Sequence, residues 1–402
     1  MRLQMIFQAK RRSFRVRLTL LIAIILLFVT ACTDSATNKE VAPETVKLKD
    51  DPHAIVYYST DLPHERIGDG LSYLFLIDKQ GKYTKIKKRG LELNSVIPLG
   101  QSLLLNQKEQ MLTIQADNNI QTTPYKEDCK VPAGYGQSSG ELNGGKTYYS
   151  IFNGRFSEDM KYYISKVRWG DETKHYCKDI REFVEATGDD GKHIYYISSD
   201  VEDPSKKFFH KASIQGDQLK FDSKTLLEKS KEEGRFMFTK LIAAGDDMVG
   251  VYADLIGNKV ELNLMQVAKD NKTPFKKHPL LQYDGTNTKY YFFNKESIYL
   301  KDGQVYFVDG YGDVYAYNLE TNKLNKKFHL NDYQRDEKLQ DEIVYFYNDH
   351  LYFYHFHEKS KSHQIETYNL EGKVVNTLKL PDLKKEIGRD SVYLYDFKIL
   401  NH

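Results

Sequence analysis

The chain has 402 residues, with 58 Lys and Arg against 56 Asp and Glu, a formal charge of +2. Six of those bases and none of the acids lie in residues 1–31, so the remainder carries 52 − 56 = −4. That balance argues against nucleic acid or an anionic surface as partner. The chain holds no Walker loop, no GxGxxG after a strand and no CxxC, which weighs against nucleotide, dinucleotide and dithiol chemistry.

The N-terminus reads as a targeting segment. Arg2, Lys10, Arg11, Arg12, Arg15 and Arg17 precede an apolar run from Leu18 to Val29, broken by Thr19. About a dozen residues make a helix of roughly 18 Å, short of a bilayer core of about 30 Å. A basic lead, a short apolar stretch and small residues at the cut describe a signal peptide over residues 1–31. Val29-Thr30-Ala31-Cys32 resembles the lipobox of bacterial lipoproteins. The resemblance implies diacylglycerol on the Cys32 thiol, cleavage before it, and an anchor of palmitate-type chains on the outer face of the cell membrane. Residues 32–52 are polar and free of aromatics, and are expected to form a flexible tether.

From His53 to the C-terminus the texture is strand-like. Short runs rich in Tyr, Phe, Val and Ile alternate with Gly, Asn and Asp turns, as in Ala54–Thr60, Ser72–Asp78, Gln304–Gly310 and His350–Phe356. The 30 Tyr and 21 Phe suit half-buried pleated surfaces. Gly81-Lys82, Gly191-Lys192, Asn258-Lys259, Asn322-Lys323 and Gly372-Lys373 follow strand-like runs and supply residues tolerant of positive φ. Tyr-Asn-Leu-Glu starts at Tyr317 and again at Tyr368, a spacing of 51 residues. A degenerate all-strand repeat of roughly 40–50 residues is the pattern of a β-propeller. Residues 53–402 therefore predict about seven blades, with six to eight compatible with the length, starting near residues 54, 96, 146, 191, 240, 290 and 342. Ser391–Leu400 is expected to close the ring against the first blade. Asp179–Ala186 and Ser223–Glu233 are expected as short helices on loops.

The phrase Asp313-Val314-Tyr315-Ala316-Tyr317-Asn318-Leu319 between turns resembles repeats of exported bacterial propellers of the quinoprotein-like and TolB-like kinds. Together with the lipobox it is similar to Gram-positive propeller lipoproteins. The resemblance implies a fold. The cofactor and metal signatures of quinoprotein enzymes have no counterpart in this sequence, so no cofactor is expected.

Candidate chemistry is sparse. Cys129 and Cys177 could pair as a disulfide or remain two thiols. His355 and His357 fall two apart in a strand-like run and share one face, a weak candidate for a metal. Gly136–Gly140 (GQSSG) fits G-x-S-x-G, but its flanks read as neither strand nor helix, so a Gly-rich surface loop is expected. Asp309–Asp313 (DGYGD) predicts a hairpin loop, and Trp169, the single tryptophan, a packing residue. No catalytic residue is assigned. The expectation is a binding or scaffold module for an envelope protein, peptide or glycan. The alternative is an exported hydrolase- or lyase-like enzyme with its site over the central channel.

Overall fold

The computed structural model describes residues 52–400 except 61–70, 90–95, 108, 116–118, 131–134, 201, 204, 230–236, 271–274, 285–291, 334–340 and 389–391. The signal peptide, Cys32 and most of the tether lie outside these residues.

The described residues are almost entirely strand, arranged as an all-β propeller. The first sheet orders Tyr393–Ile399, Ala54–Ser59, Leu71–Ile77 and Tyr83–Arg89. Its C-terminal strand runs antiparallel to the first one, Ala54 opposite Ile399, so the two ends of the propeller share a sheet. The second sheet holds Val96–Leu99, Ser102–Asn106, Gln110–Ile114 and Ile120–Pro124. The third holds Tyr135–Leu142, Thr147–Phe156, Tyr163–Gly170 and His175–Ile180.

The fourth sheet is long, with eight strands in line. One half runs Phe183–Asp189, His193–Ser199, Lys206–Gln215 and Gln218–Lys229. The other runs Leu241–Ala244, Asp247–Ile256, Lys259–Ala268 and Lys276–Asp284, and Met237–Phe238 pairs with Asp247–Ile256. The halves meet through a short parallel pairing, Gly188 opposite Leu241 and Asp189 opposite Ile242. A Cβ on Gly188 would lie 2.0 Å from the Leu241 carbonyl oxygen, so this close approach requires glycine. The fifth sheet holds Ile298–Lys301, Gln304–Val308, Asp313–Asn318 and Lys323–His329. The sixth holds Ile343–Tyr347, His350–His357, Ser362–Asn369 and Val374–Lys379, followed by a short helix, Leu383–Ile387, capped by the Asp382 side chain.

Two sequence expectations need correction. Asp179–Ala186 and Ser223–Glu233 were expected as helices. Apart from a bend at Arg181 and Glu182, their described residues lie instead in the strands His175–Ile180, Phe183–Asp189 and Gln218–Lys229. Pairing with neighbouring strands overrides the modest helical preference of their Glu, Lys and Leu. The turn signals are correct in kind, with positive φ at Gly81, Gly191, Asn322 and Gly372. At Asn258 the left-handed residue is its neighbour Gly257.

Strand alternation explains the packing. In Ala54–Ser59, Ala54, Val56 and Tyr58 face the sixth sheet, while Ile55 and Tyr57 face the second. Similar apolar cores fill the seams around the ring. Ile97, Leu104 and Tyr148 join the second and third sheets. Leu142, Val184 and Ile194 join the third and fourth, and Phe209, Leu241 and Met265 join the two halves of the long sheet. Val251, Leu262 and Phe307 then reach the fifth, and Val314, Phe346 and Phe353 join the fifth to the sixth. A buried side chain of this kind contributes about 1.5–3 kcal/mol. With both faces covered, these strands read as continuous apolar runs.

The seam between the second and third sheets also contains a charge. Arg168 is fully buried. Its Nε and Nη2 donate to the Cys129 carbonyl oxygen at 3.0 and 2.7 Å, and Nη1 donates to the Gln107 carbonyl at 2.6 Å and Asn106 Oδ1 at 3.2 Å. The guanidinium lies 3.9 Å from the Tyr125 ring centre and 5.1 Å from that of Phe152.

Candidate binding site at the centre of the ring

Inner strands of the second, third, fourth and sixth sheets face the middle, as does the C-terminal strand of the first, and the turn before the fifth sheet's first strand joins them. Their residues line a cavity of about 320 Å³. Val96–Pro98, Ser138–Glu141, Thr187–Asp189 and Lys240–Ala243 contribute, with Glu296, Tyr345 and Lys398. Every element of the ring therefore supplies wall. Pro98 is tolerated because it sits on an edge strand.

One side of the cavity is an ion-pair network. Lys398 Nζ contacts the Glu296 carboxylate and lies 3.5 Å from Asp396 Oδ1, with the Tyr345 ring centre at 4.9 Å. Asp396 also accepts from the Val96 N–H at 3.0 Å. Burial pushes the Lys398 ammonium down, but Asp396 and Glu296 overcome it and hold its pKa well above the usual lysine range. Burial pushes Glu296 up, yet Lys398 and Lys240 hold it below the usual carboxylate range. Asp396 is raised by burial and by Glu296, against the pull of Lys398.

The other side is acidic. Asp189 Oδ2 accepts from Tyr149 Oη at 2.9 Å and Oδ1 from the Gly191 N–H at 3.0 Å. Gly140 makes room for this contact, since a Cβ there would lie 2.5 Å from Asp189 Oδ2 and 2.6 Å from the Tyr149 ring. Burial and the Asp189 charge raise the Glu141 pKa, and burial raises that of Asp189. Ser138 and Thr187 contribute to this side, but their hydroxyl oxygens are turned away from accessible space and make no hydrogen bond.

Gly136–Gly140 is thus not a surface loop. It lies in the strand Tyr135–Leu142, of which Ser138–Glu141 line the cavity. No helix opens after Ser138, so the nucleophile-elbow geometry is absent from this strand. Sequence reading also missed Glu141, Asp189, Lys240, Glu296 and Lys398, because they converge from separate strands without any local spacing.

The residues singled out from sequence lie elsewhere. Cys129 and Cys177 are joined in disulfide geometry, Cα atoms 5.5 Å apart, beside Arg168. His355 is fully buried, stacked on Phe353 at 4.4 Å, and neither ring nitrogen makes a hydrogen bond. His357 is less buried, its Nδ1 2.7 Å from Ser360 Oγ. The rings stand 6.3 Å apart, and the pair belongs to no group of three ligand atoms close enough for a metal among the described residues. Asp309 organises its hairpin by accepting from the N–H groups of Tyr311 and Asp313, both at 2.9 Å, and from Tyr283 Oη at 2.7 Å. Trp169 is buried, stacks on Tyr176 and donates to the Gly216 carbonyl at 3.2 Å.

The family described as YycP, beta-propeller domain, matches residues 47–400. The uncharacterized protein YycP of Bacillus subtilis (strain 168) is 26% identical over 398 residues, 95% of this chain and 97% of its own length. Among solved structures, a hypothetical selenium-binding protein from Sulfolobus tokodaii aligns with a TM-score of 0.50 at 10% identity, over 87% of this chain and 93% of that one. An oligogalacturonate lyase in complex with manganese aligns at 0.47 and 10% identity, over 72% and 81%. At these identities the structural likeness speaks to the fold alone.

Proposed function

The chain belongs to the YycP β-propeller family, and on that footing we propose that it is a seven-bladed, lipid-anchored binding module on the outer face of a bacterial membrane. The long sheet counts as two blades, because its halves carry separate antiparallel sets of four strands with an apolar core between them. The anchor is Cys32, read from the lipobox, and the Cys129–Cys177 bond suits an oxidising exterior. The ligand is a peptide or glycan of the envelope that inserts a polar group into the central cavity.

The observation that carries this reading is the cavity itself. Inner strands from all around the ring converge on it, and its volume falls within the range of small-molecule sites. Lys398, Glu296, Asp396 and Asp189 are fixed by one another and by main-chain and tyrosine donors, an arrangement suited to recognition. A second reading draws on the same wall. Carboxyls raised in a cleft, as at Glu141 and Asp189, are also what a general acid needs, so an exported hydrolase or lyase is the alternative.

The full chain, extracted in detergent, is to be titrated with envelope glycan fragments and peptides and incubated with generic hydrolase substrates. Saturable binding abolished by Ala243→Trp, which adds bulk at a partly exposed lining position, supports the module. Turnover lost in Asp189→Asn overturns it in favour of the enzyme, and absence of any binding overturns the site.

A further inference from the structure

We propose that the outer edge of the first sheet docks on an anionic phospholipid surface through Lys79, Lys82, Lys85 and Lys87, with Lys379 and Lys385 beside them. The proposal rests on the lipid-anchor reading above, which brings that surface within reach.

Residues 79–89 hold six Lys or Arg and no acid. They form the turn before Tyr83–Arg89 and that strand itself, which is the outermost of its sheet. Alternation puts Lys85 and Lys87 on one face with Tyr83, which packs toward the sixth sheet. The two sheets touch there. A Cβ on Gly81 would lie 2.4 Å from the Lys379 carbonyl oxygen, and Lys85 Nζ donates to the Glu386 carbonyl at 2.9 Å. Cations from both sheets thus form one stripe, and all six side chains named above are exposed. Asp78, Asp382 and Glu386 stand against them, leaving 6 − 3 = +3. Those acids have other work. Asp78 Oδ1 accepts from the N–H groups of Gln80 and Lys82, and Asp382 caps the short helix.

Edge lysines also discourage strand pairing between molecules. On other outer strands, however, they are met by acids, Lys224 by Glu182, Lys277 by Asp254 and Lys326 by Asp313. In the stripe Glu386 meets Lys85 and Asp382 meets Lys385, while Lys79, Lys82 and Lys379 make no ion pair among the described residues. Lysine meets phosphate as a point charge without a fixed geometry, which suits an array of fluid headgroups.

The path of the chain is an independent observation. The His53 N–H donates to the Ile77 carbonyl at 2.7 Å, so the propeller is entered beside the lysine turn. The Lys79 charge helps to lower the His53 pKa. A chain of the length between Cys32 and His53 spans about 25 Å as a coil. An anchor at Cys32 therefore presents this edge to the bilayer. The chain beyond residue 31 is −4 overall, so a negative surface repels the body and attracts the stripe, which orients the contact. The exclusion of an anionic surface drawn from net charge holds for the body and fails at this edge. The cavity-lining C-terminal strand is the opposite edge of the same sheet, so docking leaves the cavity open.

The full chain in detergent is to be reconstituted into vesicles of phosphatidylcholine, or of an equal mixture with phosphatidylglycerol. Flotation reports attachment, and labelling by a water-soluble acetylating ester, read by mass spectrometry, reports lysine exposure. Attachment to both vesicle types is expected. Labelling of the six stripe lysines should be about fivefold lower on the anionic vesicles, with Lys224 and Lys326 unchanged. The protection should vanish in about 1 M salt, where the Debye length is about 3 Å. Lys79→Glu combined with Lys82→Glu should remove the protection of the other four without changing thermal unfolding. Equal labelling on both vesicle types overturns the docking edge and leaves the anchor intact. Attachment to anionic vesicles alone, with the stripe protected, supports the edge and overturns the anchor. Attachment to neither overturns both. Protection by soluble inorganic polyphosphate, and not by vesicles, overturns the membrane in favour of a phosphate polymer.

Discussion

Lys398 at the centre of the ring and Arg168 in the seam between the second and third sheets are both buried cations, and their surroundings differ in kind. Lys398 sits between two carboxylates. Arg168 is gripped by two main-chain carbonyls, an amide oxygen and the faces of two rings. The chemistry of the heads accounts for this. An ammonium is a compact, strongly hydrated point charge that needs an opposite charge once dehydrated. A guanidinium spreads its charge and presents several coplanar donors, so neutral oxygens and aromatic faces hold it. The seam uses its charge to tie a loop to two sheets. The centre keeps paired charges beside an open cavity, where a ligand can reach the same field.

The largest expected effect comes from breaking the central network. Lys398→Met leaves Asp396 and Glu296 buried with one cation fewer, and should cost about 3–5 kcal/mol in urea unfolding. Adding Asp396→Asn should restore a good part of the loss, because it removes the stranded charge. If the single variant costs nothing measurable, the centre does not depend on charge pairing as described.

The seam can be weakened through its covalent link. Cys129 and Cys177 are 48 residues apart. A bond closing a loop of that size is worth about 2–4 kcal/mol. Changing both to Ser should lower stability by that amount, matching what reductant does to the unaltered chain. The loss should come with weaker protection of the Arg168 contacts, since Cys129 supplies the carbonyl that Nε and Nη2 share. Agreement between reductant-treated and untreated protein would mean that no bond forms.

These two regions also show what the sequence could convey. The middle strands are legible because both faces are covered by apolar seams, so Ala54–Ser59 or Gln304–Val308 announce themselves as aromatic and β-branched runs. Two of the cavity-facing strands are not. Tyr135–Leu142 reads YGQSSGEL and Phe183–Asp189 reads FVEATGD, with small and polar residues where a ligand site needs room. They were therefore read as loop and helix, and the third blade and the first half of the long sheet were placed about ten residues late. The residues that escaped sequence reading are the ones lining the candidate site. A functional wall departs from the patterning that makes the scaffold readable. The repeat, with Tyr317 and Tyr368 spaced by 51 residues, conveyed the architecture because turns and packing recur in every blade. Lys398 and Glu296, 102 residues apart in the chain, carry no such local signature.

The smallest predicted effect tests a third way of burying a titratable group, with no partner at all. His355 stacks on Phe353 between the fifth and sixth sheets, its nitrogens unbonded and the Glu366 carboxylate 4.0 Å away. Glu366 accepts from Tyr368 Oη, so its oxygen is already engaged. Burial, with help from His357 and His363 and against Asp332, lowers the His355 pKa to about 4. Unfolded, the imidazole takes up its proton near its ordinary value of about 6.5. Between those two values the unfolded chain binds more protons, so stability falls as pH falls through that window and is fully present above it. At pH 5 the loss from this one group should be about 2 kcal/mol. His355→Phe keeps the stack on Phe353 and removes the titration. It should equal or exceed the unaltered chain in stability at pH 7, and its advantage should widen by that amount on acidification to pH 5. Urea midpoints measured for both chains across this range decide it. Parallel curves would show that the imidazole finds a partner, and that this seam, like the centre of the ring, pairs the charges it buries.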